Sequence, residues 1–289
     1  MLDYFFSLFS HDLGIDLGTA NTLILVKGKG IVIREPSVVC RQRKSKKILA
    51  IGGEAKKMVG KTPQSLEIIR PLKDGVIADF DATKAMIEHY IKKVHQSPSL
   101  IPKISRPLVA IGIPSGVTEV ERRAVAAAAI GAGARKAYLI EEPMAAAIGA
   151  GLPILESTGN MIIDIGGGTT EMAVISLGGI VLNKSIRVAG DEIDEAIINF
   201  LRLKHGILIG EKTAEEVKIN IGSALPKHKE EKEEQYTVVR GRDIETGLPR
   251  SLKISATEIR EAISPVLNLI IDTVSDLIQE TPPELIGDI

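Results

Sequence analysis

The sequence predicts an α/β protein made of two duplicated domains, and three observations support this prediction. The chain has 289 residues, more than one small hydrophobic core requires, so two domain-sized units are expected. Short apolar segments of strand length alternate with longer segments of helical period. An apolar-Asp-apolar-Gly motif at 14–22 returns at 162–170, about half a chain later.

Charge and cysteine content narrow the classes of protein and compartment. The 36 Lys and Arg are balanced by 37 Asp and Glu, so no nucleic-acid partner is expected. The single cysteine, Cys40, has no His or Cys neighbour at metal-ligand spacing, which indicates a reducing compartment and no zinc module. No apolar run reaches the ~18 residues of a membrane span, and the N-terminus lacks the basic residues of a secretory signal.

Domain I is expected over residues 11–155. Strands separated by glycine-containing turns open it, and strands and helices then alternate. The expected strands lie at 13–17, 22–26, 30–33, 108–113 and 137–140, and the expected helices at 81–95, 119–132 and 144–150. The basic run 41–47 is expected to form an exposed hairpin turn, because a short charge run in a neutral protein is usually solvated.

Domain II is expected over residues 156–289 and begins with the same order of strands. Strands at 161–165, 171–176 and 179–184 lead into a helix at 191–204. In both 14–22 and 162–170 an Asp stands between apolar residues, and Gly, small residues and Thr follow. This match at a fixed separation supports a duplication.

Each copy carries residues suited to binding phosphate. Asp16 and Asp164 lie two residues before a Gly-rich turn, where backbone N–H groups can approach a phosphate closely. Two carboxylates would repel a triphosphate unless a hard cation lay between them, so we expect Mg²⁺ held through water. The expected cofactor-binding residues of the two turns are Asp16, Gly18, Thr19, Ala20, Asn21, Gly166, Gly167, Gly168, Thr169 and Thr170.

Several segments carry a resemblance to a known family. They are 16–22, 71–79, 140–149, 164–171, 189–194 and 241–249. Together they resemble the superfamily of actins, sugar kinases and heat-shock chaperones, and within it the bacterial cell-shape actins. The resemblance implies duplicated actin-like (ribonuclease H-like) domains with mixed sheets flanked by helices and a nucleotide cleft between them. It also implies small subdomains at about residues 37–76 and 192–255.

The resemblance implies a protein that binds ATP and ADP with Mg²⁺ and polymerises into filaments. Glu142 would position the attacking water, because a carboxylate there can accept its proton. Asp164 and Thr169 would complete the catalytic set, and Asp16 and Asp164 would be the magnesium ligands. No charge-stabilising Lys accompanies these residues, so slow ATP hydrolysis is expected.

The resemblance also places nucleotide contacts late in the chain. Gly190 and Asp191 lie at the start of the helix expected near 191–204. Glu215, Glu216 and Lys218 follow, with Glu215 and Lys218 facing the ribose and adenine. The alternative is that Glu215 and Lys218 form a solvent-facing pair one helical turn apart.

Residues 1–10 are expected to form an amphipathic membrane-binding helix. At about 100° per residue, one side of such a helix carries Leu2, Phe5, Phe6 and Phe9. A helix this short is marginal in water, so a filament would bind lipid through many copies. The alternative is that the segment docks on its own domain. Leu100 and Ile101 are a second expected membrane contact, with a buried loop pair as the alternative.

The resemblance further implies partners and a location. The partners are other copies of the chain, the lipid surface, membrane-embedded components of cell-wall synthesis and a bitopic adaptor. The protein would lie in the cytoplasm on the inner face of the cell membrane, directing wall synthesis and rod shape. A small-molecule kinase and a chaperone-like ATPase of the same superfamily remain alternatives. Because a second Gly-rich motif of the superfamily does not follow 284–289, domain II is expected to be incomplete at its C-terminus.

Overall fold

The computed structural model of the chain describes residues 10–95, 106–225 and 234–289. The chain divides into two compact units: a first unit of Met1–Arg187 with Glu280–Ile289, and a second unit of Val188–Gln279. Both copies of the duplicated strand motif lie in the first unit. The expected limits of domains I and II and of their small subdomains stay predictions.

The first unit contains most of the strands. Its elements are β1 (Leu13–Leu17), β2 (Asn21–Val26), β3 (Gly30–Pro36), β4 (Val39–Gln42), β5 (Ile48–Ile51), α1 (Gly53–Lys56), β6 (Leu66–Ile69), β7 (Leu72–Lys73), β8 (Val76–Ile77), α2 (Phe80–His95), β9 (Leu108–Ile113), α3 (Glu119–Gly131), β10 (Lys136–Glu141), α4 (Glu142–Ala150), β11 (Asn160–Ile165), β12 (Thr170–Ser176) and β13 (Gly179–Ile186).

The second unit is built largely from helices. Its elements are α5 (Gly190–His205), β14 (Ile207–Leu208), α6 (Glu211–Ile221), β15 (Tyr236–Asp243), β16 (Pro249–Ser255) and α7 (Ala256–Glu280), and α8 (Pro283–Ile286) belongs to the first unit. The strands and helices expected from the sequence are confirmed, and their ends differ by at most a few residues.

A mixed five-stranded sheet with the order β10-β9-β1-β2-β3 forms the centre of the first unit. Strand β1 pairs antiparallel with β2 and parallel with β9. Alternate residues of β1 point into one core, where they meet Met86 and Tyr90 of α2 and Ala128 of α3. The opposite face of β1 therefore carries Asp16. Helix α3 begins with a capping box, in which Thr118 and Glu121 bond to each other's backbone N–H groups.

The second copy of the motif forms an antiparallel three-stranded sheet with the order β11-β12-β13. Its central strand β12 is buried along its whole length. Ala173 and Ile175 of β12 pack with Ala147 of α4 in a small core. The antiparallel order of β11, β12 and β13 repeats that of β1, β2 and β3, so the duplication expected from the sequence is present in the fold.

A third sheet of the first unit, β5-β4-β6, carries the basic run of the sequence. Residues 42–47 are exposed and connect β4 to β5, which confirms the expected hairpin turn. Cys40 of β4 is fully buried, as expected of a core residue. Arg41 ties the sheet down, since its guanidinium lies 2.6 Å from Glu67 and 2.7 Å from Asp79.

In the second unit, strands β14, β15 and β16 form one sheet. Helices α5, α6 and α7 share a core with this sheet, which includes Ile197, Leu201, Val217, Ile254 and Ile259. Across the described ranges of both units, none of the helices is long and apolar enough to cross a membrane.

Candidate functional site

Asp16 and Asp164, the matching aspartates of the two copies, occupy the same place in their strands. Each is the next-to-last residue of the first strand of its copy. Across the antiparallel pair, Asp16 lies opposite Leu23 and Asp164 lies opposite Glu171. Because side chains alternate along a strand and Leu17 points into the core, the Asp16 carboxylate points away from it.

The β1–β2 turn and the β11–β12 turn lie against each other within the first unit. A Cβ atom built on Gly167 would stand 2.7 Å from the Cβ of Ala20 and 3.0 Å from its backbone nitrogen. One built on Gly168 would stand 2.9 Å from the Oγ1 of Thr19. Glycine is therefore required here by the close approach of two backbones, and any side chain would push the turns apart.

Each turn is held by hydrogen bonds of its own. Ser37 braces the first turn, because its Oγ donates to the Gly18 carbonyl at 2.6 Å and its N–H donates to the Ala20 carbonyl at 3.0 Å. In the second turn, the Gly166 N–H donates to the Thr169 carbonyl at 2.8 Å. The sequence contains no motif that points to Ser37, which follows the third strand of the copy.

A third turn, between β7 and β8, meets the two Gly-rich turns. Asp74 and Gly75 both have positive φ, at 51° and 74°. The Gly75 N–H donates to Thr19 Oγ1 at 3.2 Å, and a Cβ on Gly75 would stand 3.1 Å from Cγ2 of Thr169. The segment 71–79 carried the family resemblance in the sequence, but its place beside both threonines is visible only in the structure.

Glu142 is the first residue of α4 and follows directly after β10. Pro143 comes next, within the first helical turn, where its missing N–H leaves no helical hydrogen bond unmade. The Cγ of Glu142 would stand 3.3 Å from a Cβ built on Gly112 near the end of β9. A glycine at that position lets the glutamate side chain cross the strand closely.

The carboxyl groups of this site raise one another's pKa. Burial raises the pKa of Glu142 to about 8, and the negative charges that add to the effect are those of Asp16, Glu171 and Asp164. Burial, with the charge of Asp164, raises the pKa of Asp16 to about 6. The Asp16 residue is nevertheless exposed at the strand end, so nearby protein atoms displace part of the water around its carboxyl group without enclosing it. Burial also raises the pKa of Asp164.

Glu171 is a site residue that the sequence motif contains without marking its role. Its side chain on β12 is 1% exposed and accepts hydrogen bonds from the N–H of Ser115 at 3.2 Å and from its Oγ at 3.1 Å. The Oγ of Ser185 donates to it at 2.5 Å. The signal in the sequence is a charged residue inside an otherwise apolar strand, which requires buried hydrogen-bond partners.

The late residues expected to contact nucleotide lie in the second unit. Gly190 and Asp191 open α5. On α6, Lys218 Nζ donates to the Gly190 carbonyl at 2.8 Å and lies 2.9 Å from Asp194 Oδ1. Glu216 lies 3.7 Å from Lys212 on the exposed side of the same helix. Lys218 thus links α6 to α5, and the nucleotide contacts expected of Glu215, Glu216 and Lys218 stay predictions.

The expected metal and membrane residues have different standing in the structure. Among residues 10–95, 106–225 and 234–289, no three His, Cys, Asp or Glu side chains are grouped to hold a metal ion. A cation at Asp16 and Asp164 would therefore need further ligands from phosphate and water. The expected membrane residues lie outside the described residues; they are Leu2, Phe5, Phe6, Phe9, Leu100 and Ile101.

The strand order of the two copies, the facing Gly-rich turns and the Asp on each define an actin-like α/β fold. The chain belongs to the MreB/Mbl protein family, whose model matches residues 10–289. The resemblance on which the sequence analysis relied is therefore confirmed.

The relatives of the chain are cell shape-determining proteins. It is 52% identical to MreB of Escherichia coli strain K12 over 293 residues, covering 100% of this chain and 82% of the relative. It is 47% identical to Mbl of Bacillus subtilis strain 168 over 282 residues, covering 98% and 82%.

Solved structures show the same fold. MreB5 of Spiroplasma citri bound to AMPPNP superimposes with a TM-score of 0.88 at 42% identity, covering 96% of this chain and 81% of that one. The ADP-bound form of MreB5 gives a TM-score of 0.89. A MamK double helical filament gives 0.73 at 23% identity over 95% and 82% of the two chains, which shows the fold alone.

Proposed function

We propose that the chain binds and slowly hydrolyses ATP with Mg²⁺, and assembles into membrane-attached filaments that direct cell-wall synthesis and rod shape. One observation carries this proposal: two Gly-rich turns of the first unit face each other, each preceded by an Asp, with Glu142 close enough to feel both charges. This arrangement suits a terminal phosphate, a cation and a water molecule.

Backbone geometry supports phosphate binding at the turns. Gly167 and Gly168 let the second turn pack against the first without an intervening side chain. Successive backbone N–H groups in such a turn can form a concave site for phosphate oxygens. The hydroxyl groups of Thr19 and Thr169, both largely buried, can add donors. The relative MreB5 of Spiroplasma citri has been solved with AMPPNP and with ADP, which favours an adenine nucleotide here.

Electrostatics support a divalent cation at the same place. Burial raises the pKa values of Asp16, Asp164 and Glu142, and neighbouring carboxylates raise those of Asp16 and Glu142 further, so a cation would relieve the cost of negative charge there. Asp16 and Asp164 would hold Mg²⁺ through water, because magnesium keeps several waters and needs few protein ligands. The bound cation would neutralise charge that develops on the phosphate oxygens.

Glu142 is the residue we assign to hydrolysis. In its ionised form, which a bound cation would favour, Glu142 can accept a hydrogen bond from a water molecule and take its proton as the water oxygen attacks the terminal phosphorus and the bond to ADP breaks. Its place at the start of α4 is rigid, since Pro143 and the end of β10 fix the backbone. Asp164 and Thr169 would orient the same water and phosphate.

Filament formation and cell-shape control rest on the family. The relatives with 52% and 47% identity are cell shape-determining proteins, and the match covers their sequences over most of their length. This relationship favours a self-assembling protein over the small-molecule kinase and the chaperone-like ATPase. We propose that the binding partners are other copies of the chain, wall-synthesis components in the membrane and a bitopic adaptor.

Membrane attachment rests on the composition of residues 1–9. This stretch holds four of the nine aromatic residues of the chain. Aromatic and leucine side chains beside a polar face are typical of helices that lie in the membrane interface. We therefore place the protein on the inner face of the cell membrane, bound through many copies in a filament.

The assignment of Glu142 is tested by measuring phosphate release and ATP affinity for Glu142→Ala. We expect release to slow by about 100-fold or more while ATP affinity changes little, because the residue acts on the water and not on the nucleotide. Glu141→Ala is the matched control, since Glu141 is the adjacent carboxylate and contacts only Arg122 among its ion pairs in the described residues, at 3.8 Å. Equal hydrolysis rates in the two variants would refute the assignment.

The membrane assignment is tested by deleting residues 1–9. We expect the deletion to abolish sedimentation with anionic vesicles while ATP-dependent assembly, seen by electron microscopy, persists. A truncated protein that still sediments with lipid would return this segment to a structural role within its own domain.

A further inference from the structure

His11 and Asp12, near the start of the described chain, lie beside the β2–β3 turn, which carries two lysines. The His11 N–H donates to Nε2 of His95, at the end of α2, at 3.1 Å. Nζ of Lys29 lies 3.3 Å from Nε2 of His11, and the N–H of Lys27 donates to the Asp12 carbonyl at 3.1 Å. His11 and Asp12 are therefore fixed directly against the β2–β3 turn.

The β2–β3 turn is an exposed and positively charged projection. Lys27, Gly28, Lys29 and Gly30 are all exposed. Gly28 and Gly30 have φ values of 80° and 77°, so the reversal depends on glycine and leaves the two lysines at the tip of the hairpin.

Within the described part of the protein, no carboxylate neutralises the positive charge of these two lysines. Over residues 10–95, 106–225 and 234–289, neither Lys27 nor Lys29 forms an ion pair with a carboxylate. The other lysines near this point differ in that respect, since Lys92 pairs with Glu88 at 2.5 Å and Lys93 pairs with Glu35. Asp12 immediately precedes β1, and its backbone carbonyl already accepts a hydrogen bond from the turn.

The N-terminal stretch lacks the charge that this turn supplies. Residues 1–9 contain leucine and aromatic side chains and Asp3, but neither Lys nor Arg. Segments that bind the membrane interface combine apolar side chains with basic ones, because the basic residues are attracted to anionic headgroups. Only Ser10 separates the end of this stretch, at residue 9, from His11, which contacts Lys29.

We propose that Lys27 and Lys29 form a contact site for anionic phospholipid that acts together with residues 1–9. The inference rests on the membrane attachment proposed above and names its electrostatic component. A lipid surface is favoured over an acidic protein because Lys29 lies beside His11, which is only two residues along the chain from the most aromatic stretch of the sequence. The basic component thus comes from a separate hairpin that the fold brings to His11.

The test compares the full chain with Lys27→Gln/Lys29→Gln in sedimentation with vesicles of phosphatidylglycerol and phosphatidylcholine. We expect the double variant to bind about 25-fold more weakly, because each lysine near an anionic surface contributes about fivefold. Its binding should also depend less steeply on salt. Lys44→Gln/Lys47→Gln is the matched control, since both residues are exposed on the β4–β5 turn and the charge change is the same.

Further variants separate this inference from the proposal beneath it. Lys27→Arg/Lys29→Arg should restore binding, because it keeps the charge, and all variants should bind vesicles of phosphatidylcholine alone equally. If deletion of residues 1–9 abolishes binding but the glutamine variant binds like the unaltered chain, the attachment stands and the lysine site is refuted. Equal losses in the Lys44/Lys47 control, or a chain that binds no vesicle at all, would also overturn it.

Discussion

The two copies of the strand–turn–strand motif place the same carboxylate in different surroundings. In the first copy, Asp16 faces Leu23 across the strand pair, and β2 alternates between buried and exposed residues. In the second copy, Asp164 faces Glu171, and β12 is buried throughout. The second copy therefore brings a further buried charge to the site, whereas the first does not.

This difference shows how a duplicated motif can become asymmetric without losing its geometry. The Asp keeps its place at the end of the strand in both copies because strand pairing and turn length are local properties. The residues around it differ, because β12 is the centre of a three-stranded sheet that packs against α4, while β2 belongs to the larger mixed sheet. The Asp and the Gly-rich turn, which both copies share, suit phosphate and cation binding. Glu171, which only the second copy has at this position, adds to the negative charge near Glu142 and helps to raise its pKa.

The largest expected effect concerns Glu142, whose pKa is raised by burial and by the negative charges of both copies. The pKa of Glu142 is raised from 4.5 to about 8, so protonation of Glu142 stabilises the native state relative to the unfolded chain. This stabilisation is lost as the pH rises from 4.5 to about 8, because the unfolded chain releases the proton first. Glu142→Gln removes this pH-dependent loss of stability, because glutamine does not ionise. In nucleotide-free buffer with chelator, we expect the free energy of unfolding at about pH 9 to rise by roughly 3 kcal/mol over the unaltered chain.

Urea unfolding of Glu142→Gln and of the unaltered chain across the pH range checks this expectation. The difference should vanish near about pH 4, below the ordinary pKa of a glutamate, where both states are protonated. Glu141→Gln serves as the control and should show no such trend. A difference that is the same at every pH would mean that burial and the neighbouring carboxylates do not raise the pKa of Glu142.

The contact between the copies is expected to be nearly as sensitive. Gly167→Ala places a methyl group 2.7 Å from Ala20 Cβ, so the turns must move apart. We expect a loss of about 1 to 3 kcal/mol in the free energy of unfolding and at least about tenfold in ATP affinity, as for overpacking elsewhere. Gly149→Ala is the control, because nothing lies within 4 Å of its built Cβ and alanine favours a helix.

Glu171→Leu makes the second copy resemble the first at the position opposite the Asp. The hydroxyls of Ser115 and Ser185 and one N–H would lose a buried acceptor, so we expect the free energy of unfolding to fall by about 1 to 3 kcal/mol. Glu171→Gln keeps an acceptor oxygen and should lose clearly less. Urea unfolding measures both, and equal losses would show that the hydrogen bonds are not what the carboxylate contributes.

The smallest expected effect lies behind the first turn. The buried hydroxyl of Thr22 lies 2.8 Å from that of Ser37, which in turn donates to the Gly18 carbonyl. Thr22→Val keeps the branched shape and should lower the free energy of unfolding by about 1 kcal/mol. Phosphate release should be unchanged. A strong drop in release would show that Ser37 positions the first turn for catalysis and does more than support the fold.

Much of the site was visible in the sequence because its signals are local. Asp16 and Asp164, the turns that follow them and the strands that lead to them are set by short-range periodicity and glycine content. Glu142 was assigned through the family motif around Pro143. By contrast, the bond from Gly75 to Thr19 spans 56 positions, and no periodicity reports such a distance.

Other contacts that the sequence did not mark follow the same rule. Lys218 was compared with Glu215 on its own helix, but its described partners are Gly190 and Asp194 on α5. No sequence motif marks Lys29, and its proposed role in lipid binding was inferred from its contact with His11 in the fold. Buried Glu171 could have been suspected as a charge in an apolar strand, yet its serine partners could not be named.

The sequence by itself determined the class of fold, the duplicated motif, the carboxylates at the strand ends and the family. These depend on residue order over short stretches, where strand alternation, helical period and turn chemistry act. The tertiary structure decided which turns touch, which carboxyl groups repel one another and which lysine lies beside His11. Those outcomes depend on packing between segments far apart in the chain, and both burial and Coulomb forces depend on distance in space.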